Sequence, residues 1–316
     1  MSEYTNHYSV LLNETVDALE IKADGIYVDA TLGGGGHTEL ILSKLGSGKL
    51  ISFDQDIDAI KFNQEKFDQQ IKSGKLILVN DNFLNLTKNL RKMEIDGIDG
   101  IVFDLGVSSE QFDNGDRGFS YRYDAKLDMR MNQDAELTAE TIVNQWDFQE
   151  IYYLLNNYGE EKFAKQIARN IEKAREESKI STTFQLVEII KQSLPQNELK
   201  KKGHPAKKTF QALRIAVNDE IENLKSALNQ SAELLKVNGH ISAISFHSLE
   251  DRVIKQVFNK LANQTDPNLL KMPIIDLPEE KFKVITKKPT LPTVRELNEN
   301  NRSHSAKLRI LERIKK

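Results

Sequence analysis

Four consecutive glycines, Gly33 to Gly36, sit in DATLGGGGHTEL (29–40), between a short apolar run and a helix-like segment. Carboxylates stand around them. Asp29 precedes the glycines, Asp54 closes the next apolar run and Asp104 closes a later one. A glycine loop lets the backbone approach a ligand closely, and an acid about 20 residues on has the spacing that takes ribose hydroxyls. Two phosphate-binding patterns fail here. The dinucleotide fingerprint G-x-G-x-x-G needs a third glycine where Thr38 or Glu39 stands. The P-loop needs Gly-Lys-Ser/Thr, but Gly48-Lys49 is followed by Leu50, and Ser43 occupies the first glycine position. No kinase HRD or DFG set is present. Strand-end acids without a phosphate cradle suit a ligand with a ribose and a cationic centre, and S-adenosylmethionine has both. The helix N-terminus would meet its carboxylate, Asp54 would take both ribose hydroxyls, and Asn82 or Phe83 would flank the adenine. The same residues also read as a chain-reversing glycine turn with acids that cap helices.

The elements that must position these groups are legible as alternating runs. IYVDA (26–30), KLISFD (49–54), KLILVN (75–80), GIVFDLG (100–106) and HISAISF (240–246) are strand-like, with helix-like segments between them. This alternation predicts an α/β fold with a parallel sheet covered on both faces. KVITK (283–287) and AKLRILERI (306–314) would complete a seven-stranded sheet with one antiparallel strand. The gap between the fourth and fifth runs is too long for a loop. Residues 135–195 carry helical periodicity, with Ser181 as an N-cap and Pro195 as a stop. Trp146 and Tyr152-Tyr153 fall at helical spacing and read as core of this insertion. Residues 210–236 read as one helix returning to the sheet.

Composition narrows the function classes. A chain of 316 residues with 39% hydrophobic content has room for one large domain or two smaller ones. There are no cysteines, so disulfides, zinc-thiolate sites and cysteine nucleophiles are excluded. No signal-like or membrane-spanning run is present, and a cytoplasmic location is expected. The net charge of -3 is not that of a generic nucleic-acid coat, so any such contact must be local. Residues 281–316 hold eleven Lys or Arg against three acids, a candidate polyanion surface.

Six further stretches are distinctive: DLGVSSEQFD (104–113), RGFSY (117–121), LDMRM (127–131), YGEEKFAKQIA (158–168), HPAKKTFQALRIAVNDE (204–220) and ISFHSLEDR (244–252). Together with the Asp29, Thr31, Gly35-Gly36-His37 pattern, they closely resemble the bacterial small-subunit ribosomal RNA (cytosine-N4)-methyltransferases. The resemblance runs from about His7 to Arg309. It implies a Rossmann-like class I methyltransferase sheet of seven strands interrupted by an all-helical domain. The expected boundaries are 1–110 and 206–316 for the methyltransferase domain and 111–205 for the insertion, which would recognise the substrate. It also implies S-adenosylmethionine as cofactor, held at Gly35, Gly36, His37, Asp54, Phe83, Asp104 and Gln111. The implied target is the exocyclic amine of one cytidine in the decoding region of 16S rRNA, within the small subunit or a late precursor. No membrane or metal is called for, and the chain would act as a monomer or homodimer. Two segments depart from the family pattern. The tail has Asn301 and His304 in place of a proline and an arginine, and HPAKK stands for HPATR.

The chemistry expected of these residues is positional. The cytosine amine is a poor nucleophile because its lone pair is delocalised into the ring. The Asp/Asn-Pro-Pro-aromatic loop of many amino-methylating enzymes is absent, since Asp104 is followed by Leu105-Gly106-Val107. Asp104 is therefore the candidate catalytic residue as well as a cofactor ligand. RNA contacts are expected from Arg117, Arg130, Lys207, Lys208, Arg214, His247 and Arg302. Ser248 and Asp251 have capping-box spacing, so part of the His247 motif would start a helix. Two rival readings differ from methyl transfer: an assembly factor that keeps the fold without turnover, and an NAD oxidoreductase, which the failed glycine spacing disfavours.

Overall fold

The computed structural model describes residues 9–107, 115–262 and 280–316. The chain forms two compact units, Met1–Gly106 with Ile221–Lys316, and Val107–Glu220.

The first unit is built on seven strands: β1 (Ile26–Asp29), β2 (Lys49–Asp54), β3 (Leu76–Asn80), β4 (Ile98–Asp104), β5 (Leu235–Ser245), β6 (Phe282–Val284) and β7 (Lys307–Arg313). Their order is β3-β2-β1-β4-β5-β7-β6. The first five run parallel, and β7 is antiparallel to both of its neighbours. Helices α1 (Leu12–Asp17), α2 (Gly36–Lys44), α3 (Ile57–Lys66), α4 (Asp68–Lys72) and α5 (Leu86–Lys92) accompany the first strands. β4 is buried along its whole length except at Asp104, which explains its near-continuous apolar sequence. Tyr27, Phe53 and Phe103 fill the middle of the sheet as fully buried rings. The strand order reverses between β1 and β4. In an open α/β sheet that reversal opens a crevice at the carboxyl ends of the strands.

The seven apolar runs are the seven strands, with one revision. β5 starts before the Asn238-Gly239 pair that the sequence suggested as its preceding turn. Asn238 adopts a left-handed φ of 63° where the pairing with β4 shifts register. The pair therefore makes an irregularity within a strand.

The second unit contains α6 (Ala139–Gln145), α7 (Phe148–Asn157), α8 (Ala164–Glu177), α9 (Thr183–Gln192), α10 (Gln196–Leu199) and α11 (Lys207–Asn218). Its core includes Ile142, Leu154, Ile167, Ile171, Leu186 and Phe210. Each such side chain, fully buried, contributes about 1.5–3 kcal/mol. The cap of α9 is Thr182, in a reciprocal box with Gln185, and not Ser181. Trp146 and Tyr152 pack against the core, but Tyr153 is 60% exposed.

The single helix expected over 210–236 is two: α11 and α12 (Glu220–Leu234). Asp219 breaks it with a left-handed φ of 48°. Phe210, Leu213 and Val217 of α11 belong to the helical core. Asn218 donates to the Met129 carbonyl and accepts from the Met131 N–H. Accordingly the compact units divide at 106/107 and 220/221, whereas the sequence reading set the boundaries at 110/111 and 205/206.

After β5 come α13 (Ser248–Ala262) and α14 (Val294–Glu299). The basic tail turns out to be partly structural. Arg309, on β7, is buried and donates to Asp251 of α13 at 2.7 Å, and Lys307 lies 3.2 Å from the same carboxylate. Arg313 donates to the Leu235 carbonyl at 2.7 Å. Among the described residues no helix is long and apolar enough to cross a membrane. Removing one partner of a buried pair strands the other, at about 3–5 kcal/mol. Asp251→Ala is therefore expected to lower the unfolding free energy by roughly 3 kcal/mol in urea melts, mainly through Arg309. A loss below about 0.5 kcal/mol would show the pair to behave like an exposed one.

Candidate functional site

The site is assembled at the carboxyl ends of β1, β2 and β4. Asp29 ends β1 and is wholly buried. Its Oδ2 accepts from the Thr38 hydroxyl at 2.8 Å and its Oδ1 accepts from the Thr31 N–H at 3.1 Å. Thr38 also shares a hydrogen bond with Ser52 of β2 at 2.8 Å. The Asp104 N–H at the end of β4 donates to the Thr31 hydroxyl at 2.7 Å. Two threonines thus tie three strand ends together. Thr38 occupies the place where a dinucleotide fingerprint would have its third glycine, and its hydroxyl explains why a glycine would fail there.

Asp54 controls the glycine loop. Its Oδ2 accepts from the Gly33 N–H and its Oδ1 from the Asp56 N–H, both at 2.9 Å. Asn63 donates to the Gly33 carbonyl from the other side at 2.8 Å. Gly35 has a φ of 78°, and a Cβ there would lie 2.2 Å from the Asn63 Oδ1. A Cβ on Gly36 would lie 2.0 Å from the Ser9 Oγ, whereas Gly34 faces open space. Two of the glycines are thus fixed by protein packing and one borders free volume. The loop runs into α2, whose first-turn N–H groups lack intrahelical acceptors and favour an anionic group.

Asp104 and His37 face each other, with His37 Nδ1 at 3.6 Å from the Asp104 Oδ2. The His37 ring is buried, and its Nε2 has no hydrogen-bond partner. Burial pushes its pKa down to about 4, so the ring is neutral near pH 7. The Asp104 side chain retains 25% exposure, yet its Oδ1 is buried without a partner. Burial, with the charges of Asp29 and Glu250 adding, raises its pKa to about 8. Burial likewise raises Asp54 to about 7 and Asp29 to about 6. Converging acids with raised pKa values and an orphaned carboxylate oxygen fit a ligand that brings a positive charge. Phe83 stands edge-on to Phe103 at 5.8 Å, and Asn82 donates to Gln55 at 2.9 Å, next to Asp54. Gln111 lies outside the described residues.

The nominated RNA contacts divide into two groups. Arg117 donates to the Arg130 and Met131 carbonyls, while Arg130 makes a two-toothed pair with Asp128 at 2.7 Å. Arg214 forks onto Glu220 with both bonds at 2.8 Å. A reciprocal cap at the start of α13 joins His247 and Glu250. Glu250 N–H donates to the His247 Nδ1, and Glu250 accepts from the Phe246 and His247 N–H groups. The side chains of Arg117, Arg130, Arg214 and His247 are therefore committed within the fold. Lys207, Lys208 and Arg302 are exposed, and Lys208 reaches the Glu160 carbonyl. The sequence reading missed Thr38, Asn63 and Glu250. Their only sequence signal is distance from the loop or strand end they serve, and the fold sets that distance.

A sheet of order 3-2-1-4-5-7-6 with a reversed seventh strand, and acids at the ends of β1, β2 and β4, defines a class I methyltransferase fold. Within that class, the chain belongs to the MraW methylase family, whose model matches residues 4–314. It is 55% identical over 309 residues to the ribosomal RNA small subunit methyltransferase H of Oenococcus oeni, covering 97% of this chain and 98% of the relative. It is 54% identical over 317 residues to the protein of that description from Limosilactobacillus fermentum, covering both chains in full. The corresponding Streptococcus mutans protein is 52% identical over 316 residues, again with full coverage of both.

The raised carboxyls set a pH dependence. Between their unfolded values near 4 and the folded values of about 6 to 8, the native chain holds protons that the unfolded chain releases. Their contribution to stability is complete below the unfolded pKa and is lost as pH rises through the folded one. Asp104→Asn should therefore raise the melting temperature of the ligand-free chain at pH 8.5 and leave it nearly unchanged at pH 5. Equal shifts at both pH values in a calorimetric scan would refute a buried ionisation.

Proposed function

We propose that this chain transfers a methyl group from S-adenosylmethionine to the exocyclic N4 amine of a cytidine in the decoding region of small-subunit rRNA. The observation that carries the reading is the Asp104 carboxylate at the strand-order reversal, one of whose oxygens is buried without a partner, in a chain of the methylase family. The names of the relatives supply the RNA.

When bound, S-adenosylmethionine supplies an electrophilic methyl group on a sulfonium. The residues that fit it are the Gly34–His37 backbone for its carboxylate end, Asp54 for the ribose, Phe83 for the adenine edge, and Asp29 with Asp104 for its positive charge. His37 contributes its backbone at the head of α2, while its ring stays buried beside Asp104. Asp104 accepts a hydrogen bond from the amine, which localises the nitrogen lone pair and aligns it. Orientation of this kind supplies about 7–11 kcal/mol in well-placed reactions. No strong base is needed, because the nitrogen becomes acidic as it is methylated. The helical unit recognises the RNA through Lys207 and Lys208, and Arg302 of the sheet unit adds a third exposed cation, in place of the four side chains committed to the fold.

Asp104→Ala is expected to lower kcat by about 10²–10³-fold on isolated small subunits while the fold persists. Near-normal turnover would sink the assignment. Affinity for S-adenosylmethionine should also rise between pH 6 and 8.5 as Asp104 ionises, by titration calorimetry. In cells lacking the gene, mass spectrometry of rRNA nucleosides should show the loss of N4-methylated cytidine. The wild-type gene should restore it and the Asp104→Ala gene should not.

A further inference from the structure

A groove of about 620 Å³ runs along α5, lined by Leu84, Asn85, Thr87, Lys88, Arg91, Lys92 and Gln230. Lys88, Arg91 and Lys92 are spaced i, i+3, i+4 and so share one helix face. All three are exposed, and among the described residues none is in an ion pair. No acid lines the groove. Asp81, whose ionisation Lys88 favours, directs its oxygens to the Asn82 N–H and the amides of Asn85 and Asn89. Three other surface lysines of this unit are each held by an acid. Lys44 pairs with Asp17, Lys72 with Asp68 and Lys225 with Glu222.

The groove wall is fixed. Gln230 of α12 accepts from the Thr87 N–H at 3.0 Å and donates to the Leu84 carbonyl at 2.7 Å, locking α12 to the start of α5. Complementing the helix dipole accounts for cations in the last turn of α5. It does not account for Lys88, for the open groove, or for the absence of acids along it. The whole chain is net negative, so a polyanion is drawn only to a local concentration of unpaired positive charge. The groove also begins at Leu84, next to Phe83 of the candidate site.

We propose that this groove binds the sugar–phosphate backbone of the RNA substrate, outside the residues that surround the transferred methyl group. The inference rests on the RNA-methylating function proposed above. Phosphates would pair with Lys88, Arg91 and Lys92, and the Asn85 and Gln230 amides would border the riboses. Contacts of this kind set register and affinity and carry no sequence information.

The test compares the full-length wild type, the variant K88Q/R91Q/K92Q, and a control K44Q/K72Q/K225Q that removes paired cations. Binding to purified small subunits and to a decoding-region RNA is measured from 50 to 200 mM salt, together with kcat, KM and S-adenosylhomocysteine affinity. In the groove variant the slope of log K against log salt should fall by about 2–3, and affinity at low salt should drop roughly tenfold or more. KM for the RNA should rise while kcat and S-adenosylhomocysteine affinity stay unchanged. The control should keep the wild-type slope. An unchanged slope in the groove variant, or an equal fall in the control, would overturn the proposal. So would weakened binding to whole subunits with unchanged binding to RNA, which would assign the groove to a ribosomal protein. If the wild type itself neither binds nor methylates RNA, the functional reading fails, and that outcome is distinct from failure of the groove alone.

Discussion

The carboxyl edge of the sheet depends on one hydrogen bond, from the Thr38 hydroxyl to the buried Asp29 carboxylate. Through it the head of α2 is fastened to the end of β1, and through the Thr38–Ser52 contact to β2. Thr31 extends the same linkage to β4. A buried carboxylate is costly unless its oxygens are satisfied. Two backbone N–H groups and the Thr38 hydroxyl satisfy Asp29. The glycine loop, Asp54 and Asp104 all take their positions from that anchored corner.

The cost left over is concentrated at Asp104. One of its oxygens is sealed from water without a donor, and two other acids bear on it. Such an arrangement lowers the stability of the chain near and above neutral pH, and it prepares the corner for a cation. Local destabilisation of this type is expected where a site is shaped for a ligand and not for the empty fold. His37 contributes a buried neutral ring, so it does not supply the missing charge.

Charge follows a related logic elsewhere. The tail looks like a uniform basic surface in sequence, yet Arg309, Lys307 and Arg313 hold β7 against α13 and the end of α12. Lys283 also marks the short edge strand β6, where it discourages strand addition. The unpaired cations of α5 attract no notice in sequence because three basic residues in seven are ordinary. They become a surface only when the fold places no acid beside them.

The sequence by itself determined the parallel α/β sheet, the seven strands, the helical insertion and the acids at three strand ends. Apolar runs bounded by turn residues and helical periodicity are local signals, and the chain obeys them. Tertiary structure decided the rest. The break at Asp219 divides one amphipathic run between two cores, because Phe210, Leu213 and Val217 find partners among helices α6 to α9. The glycine spacing ruled out phosphate binders, but only packing shows that Gly35 and Gly36 are constrained by Asn63, Phe67 and Ser9 while Gly34 faces open volume. Four of the nominated RNA contacts were legible as charge or motif, yet they are spent on carbonyls, carboxylates and a helix cap. A cation's sign is written in the sequence. Whether it is free to meet a phosphate depends on which oxygens the fold brings within reach, and those oxygens come from residues far away in the chain.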